Sequence, residues 1–255
     1  MVQRFFFELA YNGTEFFGWQ IQPKQVSVQE CIQKSLAKLN SNQNLKVVGC
    51  GRTDTGVHAS HYILHVDLPE HLQDGESLRY KLNKMLPGSI VIYKIYPVNQ
   101  DSHARFGATE RSYRYFIHQE KNPFAVKTST YFPKELDLDK MNAAAQLLIG
   151  NQDFTSLSKL HTDVKTNICD VREAFWFKNE VGQLVFQISA DRFLRNMVRA
   201  TVGTLLEVGL GKIKPEELKS ILAAKDRGEA KTSAPAEGLY LWKIDYNWEQ
   251  ILTKN

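Results

Sequence analysis

Cysteine is scarce in this chain: three in 255 residues, Cys31, Cys50 and Cys169, an odd number with no paired spacing. That usage excludes a disulfide framework and favours a reducing compartment, the cytoplasm being the expectation. No apolar run approaches the ~20 residues of a membrane span, and the N-terminus lacks the pattern of a secretory leader, so no membrane partner is expected. Charge of one sign is not in excess. With 32 basic and 28 acidic side chains the net charge is +4, and residues 1–105 and 106–255 carry the same small positive balance. A basic tail is therefore excluded, and a polyanionic partner would have to meet basic groups gathered by folding. No glycine-rich loop ends in Lys-Ser or Lys-Thr, which argues against use of a nucleoside triphosphate. His58, His61, His65 and His71 cluster in sequence, but no second group of ligand-bearing residues accompanies them, so no metal site is expected. Low-complexity segments are absent as well.

The chain does have a substantial apolar fraction, 43%, enough to build one large domain or two ordinary ones. Phe5 to Tyr11 alternates as a strand, with Phe5, Phe7, Leu9 and Tyr11 on one face. A capping box, Ser27 and Glu30, opens a helix striped by Val28, Ile32, Leu36 and Leu39. Strand-like segments at Leu45–Gly49 and His61–Val66 follow. A second helix carries Leu78, Leu82, Met85 and Leu86 and stops at Pro87-Gly88, before a strand from Ile90 to Tyr96. This β-α-β-β-α-β order is ferredoxin-like.

The second half repeats that order with insertions. Arg111–His118 is a strand with Tyr113 and Tyr115 on one face. Asp137 caps a helix bearing Met141, Ala144, Ala145 and Leu148. Val171–Phe177 and Leu184–Ala190 form a hairpin around Gly182, and a helix is predicted from Phe193 to Val208. Pro215 opens a short helix with Leu218, Ile221 and Leu222, and Leu239–Tyr246 is a last strand. The fold expected is α+β: two ferredoxin-like halves, 1–105 and 106–255, side by side with a cleft between them. Gly150–Asn167 breaks the pattern and reads as a mobile loop over that cleft.

Chemistry concentrates in Cys50-Gly-Arg-Thr-Asp-Thr-Gly-Val-His-Ala59. A hairpin turn needs only a Gly or Asn, yet this loop packs Arg52, Thr53, Asp54 and His58 around two glycines. Gly51 and Gly56 are expected to take backbone conformations closed to other residues. The outcome is one carboxylate, Asp54, held at the end of a sheet with Arg52 beside it. By itself such a loop reads more readily as an Asx-type turn, in which Asp54 hydrogen-bonds its own backbone. Cys50 reads as a small buried hydrophobe and His58 as a support for the loop. On the helix from Phe193, Arg195 and Arg199 fall four apart on one face, with no acid from Arg192 to Leu206. That is either a solvated basic face or an anion site.

The loop closely resembles the Gly-Arg-Thr-Asp-x-Gly-Val-His-Ala motif of the tRNA pseudouridine synthase A family, with Thr55 where many members have Ala. Further similar segments occur in order. They are Tyr11-Asn12-Gly13-Thr14 with Phe17-Gly18-Trp19-Gln20, His103-Ala104-Arg105-Phe106, Tyr113-Arg114-Tyr115, Phe193–Arg199 and Ala236-Glu237-Gly238-Leu239-Tyr240. The resemblance spans nearly all of residues 3–246. It implies a cofactor-free isomerase converting uridine to pseudouridine at positions 38, 39 and 40 of the anticodon stem-loop of tRNA. Asp54 falls on the family's nucleophile, Arg199 on the arginine that pairs with it, and Tyr113 on the active-site tyrosine that stacks on uracil. Arg52 is placed to enter the helix vacated by the flipped nucleotide or bind its phosphate, and Arg195 to contact phosphate. The resemblance also implies a homodimer. A non-catalytic RNA-binding module and a glycosidase are the competing readings. The first lacks an aromatic-rich RNA-recognition strand, and the second lacks a second carboxylate at a suitable spacing.

Overall fold

The computed structural model describes residues 1–159 and 165–253. Among them are ten strands and six α-helices, the mixed α+β class expected. They form two compact units: Met1–Thr109 together with Leu241–Asn255, and Glu110–Tyr240.

The first unit opens with β1 (Gln3–Tyr11), α1 (Val28–Leu39), β2 (Val48–Gly49), β3 (His58–Leu68), α2 (Gly75–Met85) and β4 (Ile90–Pro97). Ser27 caps α1 by accepting from the Glu30 N–H at 3.3 Å, and Asp74 caps α2 through the Ser77 N–H at 3.1 Å. Each carboxylate or hydroxyl satisfies an N–H that the first turn leaves without a helical partner. β1 is the central strand, antiparallel to β3 in the register Phe7↔Leu64 and to β4 in the register Phe7↔Ile95. β2 lies on the other edge of β3. The strand order β4-β1-β3-β2 is that of the ferredoxin-like arrangement. Phe5, Phe7, Leu9 and Tyr11 are buried, and so is Phe6 on the opposite face. The consecutive run Phe5-Phe6-Phe7 is therefore explained by a sheet covered on both sides.

In the second unit β5 (Ala108–His118) is followed by β6 (Thr130–Tyr131), α3 (Leu138–Gln146), β7 (Gly150–Asp153), β8 (Ile168–Lys178), β9 (Leu184–Ala190), α4 (Met197–Gly209) and α5 (Glu217–Ala224). Its strands run β5-β9-β8-β7, with β6 parallel to β5. Asp137 caps α3 through the Lys140 N–H at 3.0 Å, and Gly182 turns the β8–β9 hairpin at φ +83°. Two expectations change here. The segment expected as a mobile loop from Gly150 begins as β7, paired with β8 from Gly150↔Val171 to Asp153↔Ile168. Its residues 160–164 lie outside the described residues. Secondly, α4 starts at Met197, not at Phe193, because Asn196 sits at φ 65°, ψ 2° in the left-handed region, where a right-handed helix cannot continue.

The chain closes with β10 (Leu239–Tyr246) and α6 (Trp248–Ile251). From Leu241 onward these residues belong to the first unit, although the sequence reading ran the second half on to residue 255. The hydrogen bonds account for it. The Ile244 N–H donates to His61 Nδ1 at 3.1 Å, and the Ser60 hydroxyl donates to the Trp242 carbonyl at 2.9 Å. Tyr246 and Trp248 then close over Phe6, with ring centroids 5.5 and 6.4 Å away.

Candidate active site

The Asp54 loop joins β2 to β3, and its base is braced by aromatic rings from β1, from β3 and from the turn that follows β1. Trp19 stacks on Tyr62 at 4.2 Å, and Tyr11 meets the same ring at 5.5 Å. The Tyr62 hydroxyl donates to the Gly51 carbonyl. Tyr11 and Thr53 share a buried hydroxyl–hydroxyl hydrogen bond of 2.9 Å. Asp54 is thus preceded by a fully anchored residue and followed by a tight turn, in which the Val57 N–H donates to the Asp54 carbonyl at 3.1 Å.

Two glycines are required by this geometry. Gly56 turns the chain at φ +78°. Gly18, at φ +80°, approaches so closely that a Cβ there would lie 2.3 Å from the Thr53 carbonyl oxygen. Gly51 differs from expectation: it has no positive φ, and an added Cβ would meet nothing. Behind the loop His58 is buried, and its Nδ1 accepts from the Gly13 N–H at 3.0 Å. The two sequence segments that resemble one family are therefore one physical object, since the Gly13–Trp19 turn packs against the loop it supports. Asp54 itself is half-buried and Arg52 exposed. Cys50 is buried, as a small hydrophobe would be.

Tyr113, Arg195 and Arg199 belong to the second unit. Tyr113 is half-buried on β5, its ring edge-on to Phe193 at 4.9 Å. Tyr115 is core: its hydroxyl bonds Thr130 Oγ1 at 2.6 Å and donates to the Pro235 carbonyl at 2.9 Å. Burial is the first cause that pushes this phenol above its ordinary pKa, and the charge of Glu237 adds to it. Arg199 lies in the first turn of α4. Its Nε donates to the Ala234 carbonyl at 2.7 Å, while its own carbonyl accepts from the Ala234 N–H at 2.9 Å. Arg199 and Tyr115 thus hold the Ala234–Gly238 segment from two sides.

Arg195 does not share a helical face with Arg199. It precedes α4, is exposed, and its carbonyl accepts from the Lys159 N–H at 2.9 Å. Within each unit, then, the predicted residues gather: Arg52 with Asp54 on one loop, and Tyr113 beside the Phe193 segment that leads to Arg199. Sequence reasoning missed Tyr62, and it placed Thr53 in the loop without the anchoring role of its hydroxyl. The available signal was their position, one immediately before Asp54 and the other on the strand that leaves the loop. Among the described residues no group of three or more His, Cys, Asp or Glu could hold a metal ion, and no helix is long and apolar enough to cross a membrane.

The tRNA pseudouridine synthase family model matches residues 9–107 and 144–247. A tRNA pseudouridine synthase A of Bacteroides fragilis is 48% identical over 97% of this chain and 98% of its own length. That of Porphyromonas gingivalis is 49% identical over 95% and 97%. The Bacillus subtilis protein of the same name is 40% identical over 94% and 97%. The chain belongs to the tRNA pseudouridine synthase family.

Proposed function

We propose that this protein isomerises uridine to pseudouridine in tRNA, at positions 38, 39 and 40 of the anticodon stem-loop, with Asp54 as nucleophile. The observation that carries the reading is the Asp54 loop. Asp54 is half-buried on the loop between β2 and β3, and Thr53, Tyr62 and His58 brace that loop around it, in a chain similar along almost its whole length to proteins named tRNA pseudouridine synthase A. Such bracing suits a nucleophile, which works only when fixed at near-attack distance.

The reaction breaks the N1–C1′ bond, turns the uracil, and forms a C5–C1′ bond. The proton on C5 leaves and N1 gains one, so atoms and electrons balance without an oxidant, a reductant or an energy source. A carboxylate nucleophile suffices, attacking either C6 of uracil or C1′ of ribose. Arg199 is the cation that pairs with it. Tyr113 stacks on the base and, with Asp54, is one of two groups suited to take the C5 proton. The target nucleotide must leave a paired stem, and Arg52 fills its place or grips its phosphate. Arg195, exposed ahead of α4, contacts phosphate, and the working form is a cytoplasmic homodimer.

Incubation of the purified protein with unmodified tRNA, followed by nucleoside analysis, tests this reading. Pseudouridine at the three named positions is the expected result. Binding without pseudouridine would make the chain an RNA-binding module, and release of free uracil would make it a glycosidase.

A further inference from the structure

The His103–Phe106 segment plays no part in the site above, yet it builds an unusual surface. Phe106 is 76% exposed. A phenyl ring left in water on a loose loop would be unremarkable, but this one is fixed. The His103 Nδ1 accepts from the N–H groups of Arg105 and Phe106 at 3.1 and 3.3 Å. The Gly107 N–H returns to the His103 carbonyl at 2.8 Å. Beneath the turn, buried His65 accepts from the Ala104 N–H at 3.1 Å, and Tyr246 donates to the Ala104 carbonyl. Rings run outward from the core in sequence: Phe6 to His65 at 6.3 Å, His65 to His103 at 4.6 Å, and His103 to Phe106 at 4.5 Å. The outermost ring carries the Arg105 guanidinium 5.6 Å from its centre.

The charge around this column is mainly basic. Arg4, Arg105 and Lys46 each hold the His103 imidazole toward its neutral form, after the larger effect of burial. Arg4 and Asp67 pair at 2.8 Å and offset one another, and Asp101 also acts on Arg4, so Arg105 and Lys46 are the cations outside that group. A rigid, exposed aromatic face flanked by cations has the chemistry that takes a nucleobase on its π-surface and the attached phosphate on an arginine. Apolar protein partners would not call for the flanking charge.

We propose that Phe106 is a stacking platform for an unpaired base of the tRNA, with Arg105 beside it to meet that nucleotide's phosphate. This rests on the tRNA reading above and adds a second point of grip on the first unit. The test measures the affinity of fluorescently labelled, unmodified tRNA for the Asp54→Asn protein, so that turnover does not intervene. Phe106→Ala in that background should weaken binding about tenfold or more, as loss of one base–aromatic stack does. Phe106→Tyr should restore it. Arg105→Gln should lower affinity and reduce the steepness of its salt dependence by about one phosphate contact. If the Asp54→Asn protein binds tRNA and Phe106→Ala binds it equally well, the platform is wrong and the tRNA reading stands. If neither binds tRNA, both fall. If Phe106→Ala instead halves the mass seen by light scattering, the surface belongs to a second copy of the chain and the proposal is overturned.

Discussion

His58 Nδ1 and the Gly13 N–H form a buried hydrogen bond of 3.0 Å that joins the turn after β1 to the loop carrying Asp54. The bond fixes the imidazole tautomer, because Nδ1 must be unprotonated to accept. It also satisfies a backbone donor that has no strand partner at that point.

His58→Phe keeps much of the ring volume and removes the acceptor. The Gly13 N–H is then buried without its partner, which costs about 1–3 kcal/mol. Urea unfolding should show that loss as a lower midpoint at unchanged slope. In addition, kcat should fall while tRNA affinity stays near the parent value, because the displaced group is the Asp54 loop. A variant of normal stability and normal kcat would mean that the Gly13 turn does not govern the position of Asp54.

Asp54→Asn preserves size and most hydrogen-bonding capacity while removing the anion. Pseudouridine formation should be lost, with tRNA affinity within about tenfold of the parent, equivalent to ~1.4 kcal/mol. Single-turnover assays on a preparation verified by mass spectrometry decide the point. Substantial conversion would remove Asp54 from the mechanism.

Arg199 combines a charge with a directional fork, and the two are separable. Its Nε bond to the Ala234 carbonyl is 2.7 Å. Arg199→Lys keeps the charge and sacrifices that planar geometry, whereas Arg199→Met loses both. The expected order of kcat is parent, then Lys, then Met. Equal values for Lys and Met would show that the charge does nothing and that Arg199 serves only to hold the segment at Ala234.

Much of this was legible in sequence because the causes are local. Ser27 and Asp137 announce their helices by chemistry that acts three residues away, and the apolar stripes behind them mark the buried faces. What failed depends on partners or on one dihedral angle. The apolar and basic pattern from Phe193 looks helical throughout, but Asn196 alone, at φ 65°, delays the helix and separates Arg195 from Arg199. β7 escaped notice because Gly150-Asn-Gln-Asp153 has no apolar alternation; it is held by pairing with β8. The return of Leu241–Asn255 to the first unit is non-local, so no window of sequence contains it. Tyr62 lies only eleven residues from Gly51, but its hydroxyl reaches that carbonyl because of the way the loop folds back along β3, which residue pattern alone does not mark.

The homodimer is expected from surface demand. A compact chain of this length has a radius of gyration of ~18 Å, smaller than the tRNA it is proposed to grip, and a twofold pair doubles the available basic surface. Light scattering at micromolar concentration should give about twice the monomer mass of 29.2 kDa. A mass at the monomer value would remove the dimer and require one chain to supply every RNA contact.

The last prediction concerns pH. Burial, followed by the charges of Arg4 and His103, holds His65 down to about 4, against an ordinary 6.5. In the unfolded chain His65 takes up its proton as pH falls through ~6.5, while the folded protein resists until about pH 4. The unfolded state therefore binds more protons across that window, and stability must fall as pH drops from 6.5 toward 4. The shift corresponds to a loss on the order of 3 kcal/mol from this one group. Protonation would also take Nδ1 away from the Ala104 N–H, so the turn bearing Phe106 should loosen in the same window. Urea midpoints measured from pH 7 to pH 4 should decline, and His65→Gln, which cannot titrate, should flatten that decline while lowering stability at pH 7. The protection of the Ala104 amide against hydrogen exchange, taken relative to its intrinsic rate at each pH, should fall toward pH 4 in the parent. A stability profile identical in parent and His65→Gln would show that the imidazole titrates in the folded protein where it does in the unfolded chain.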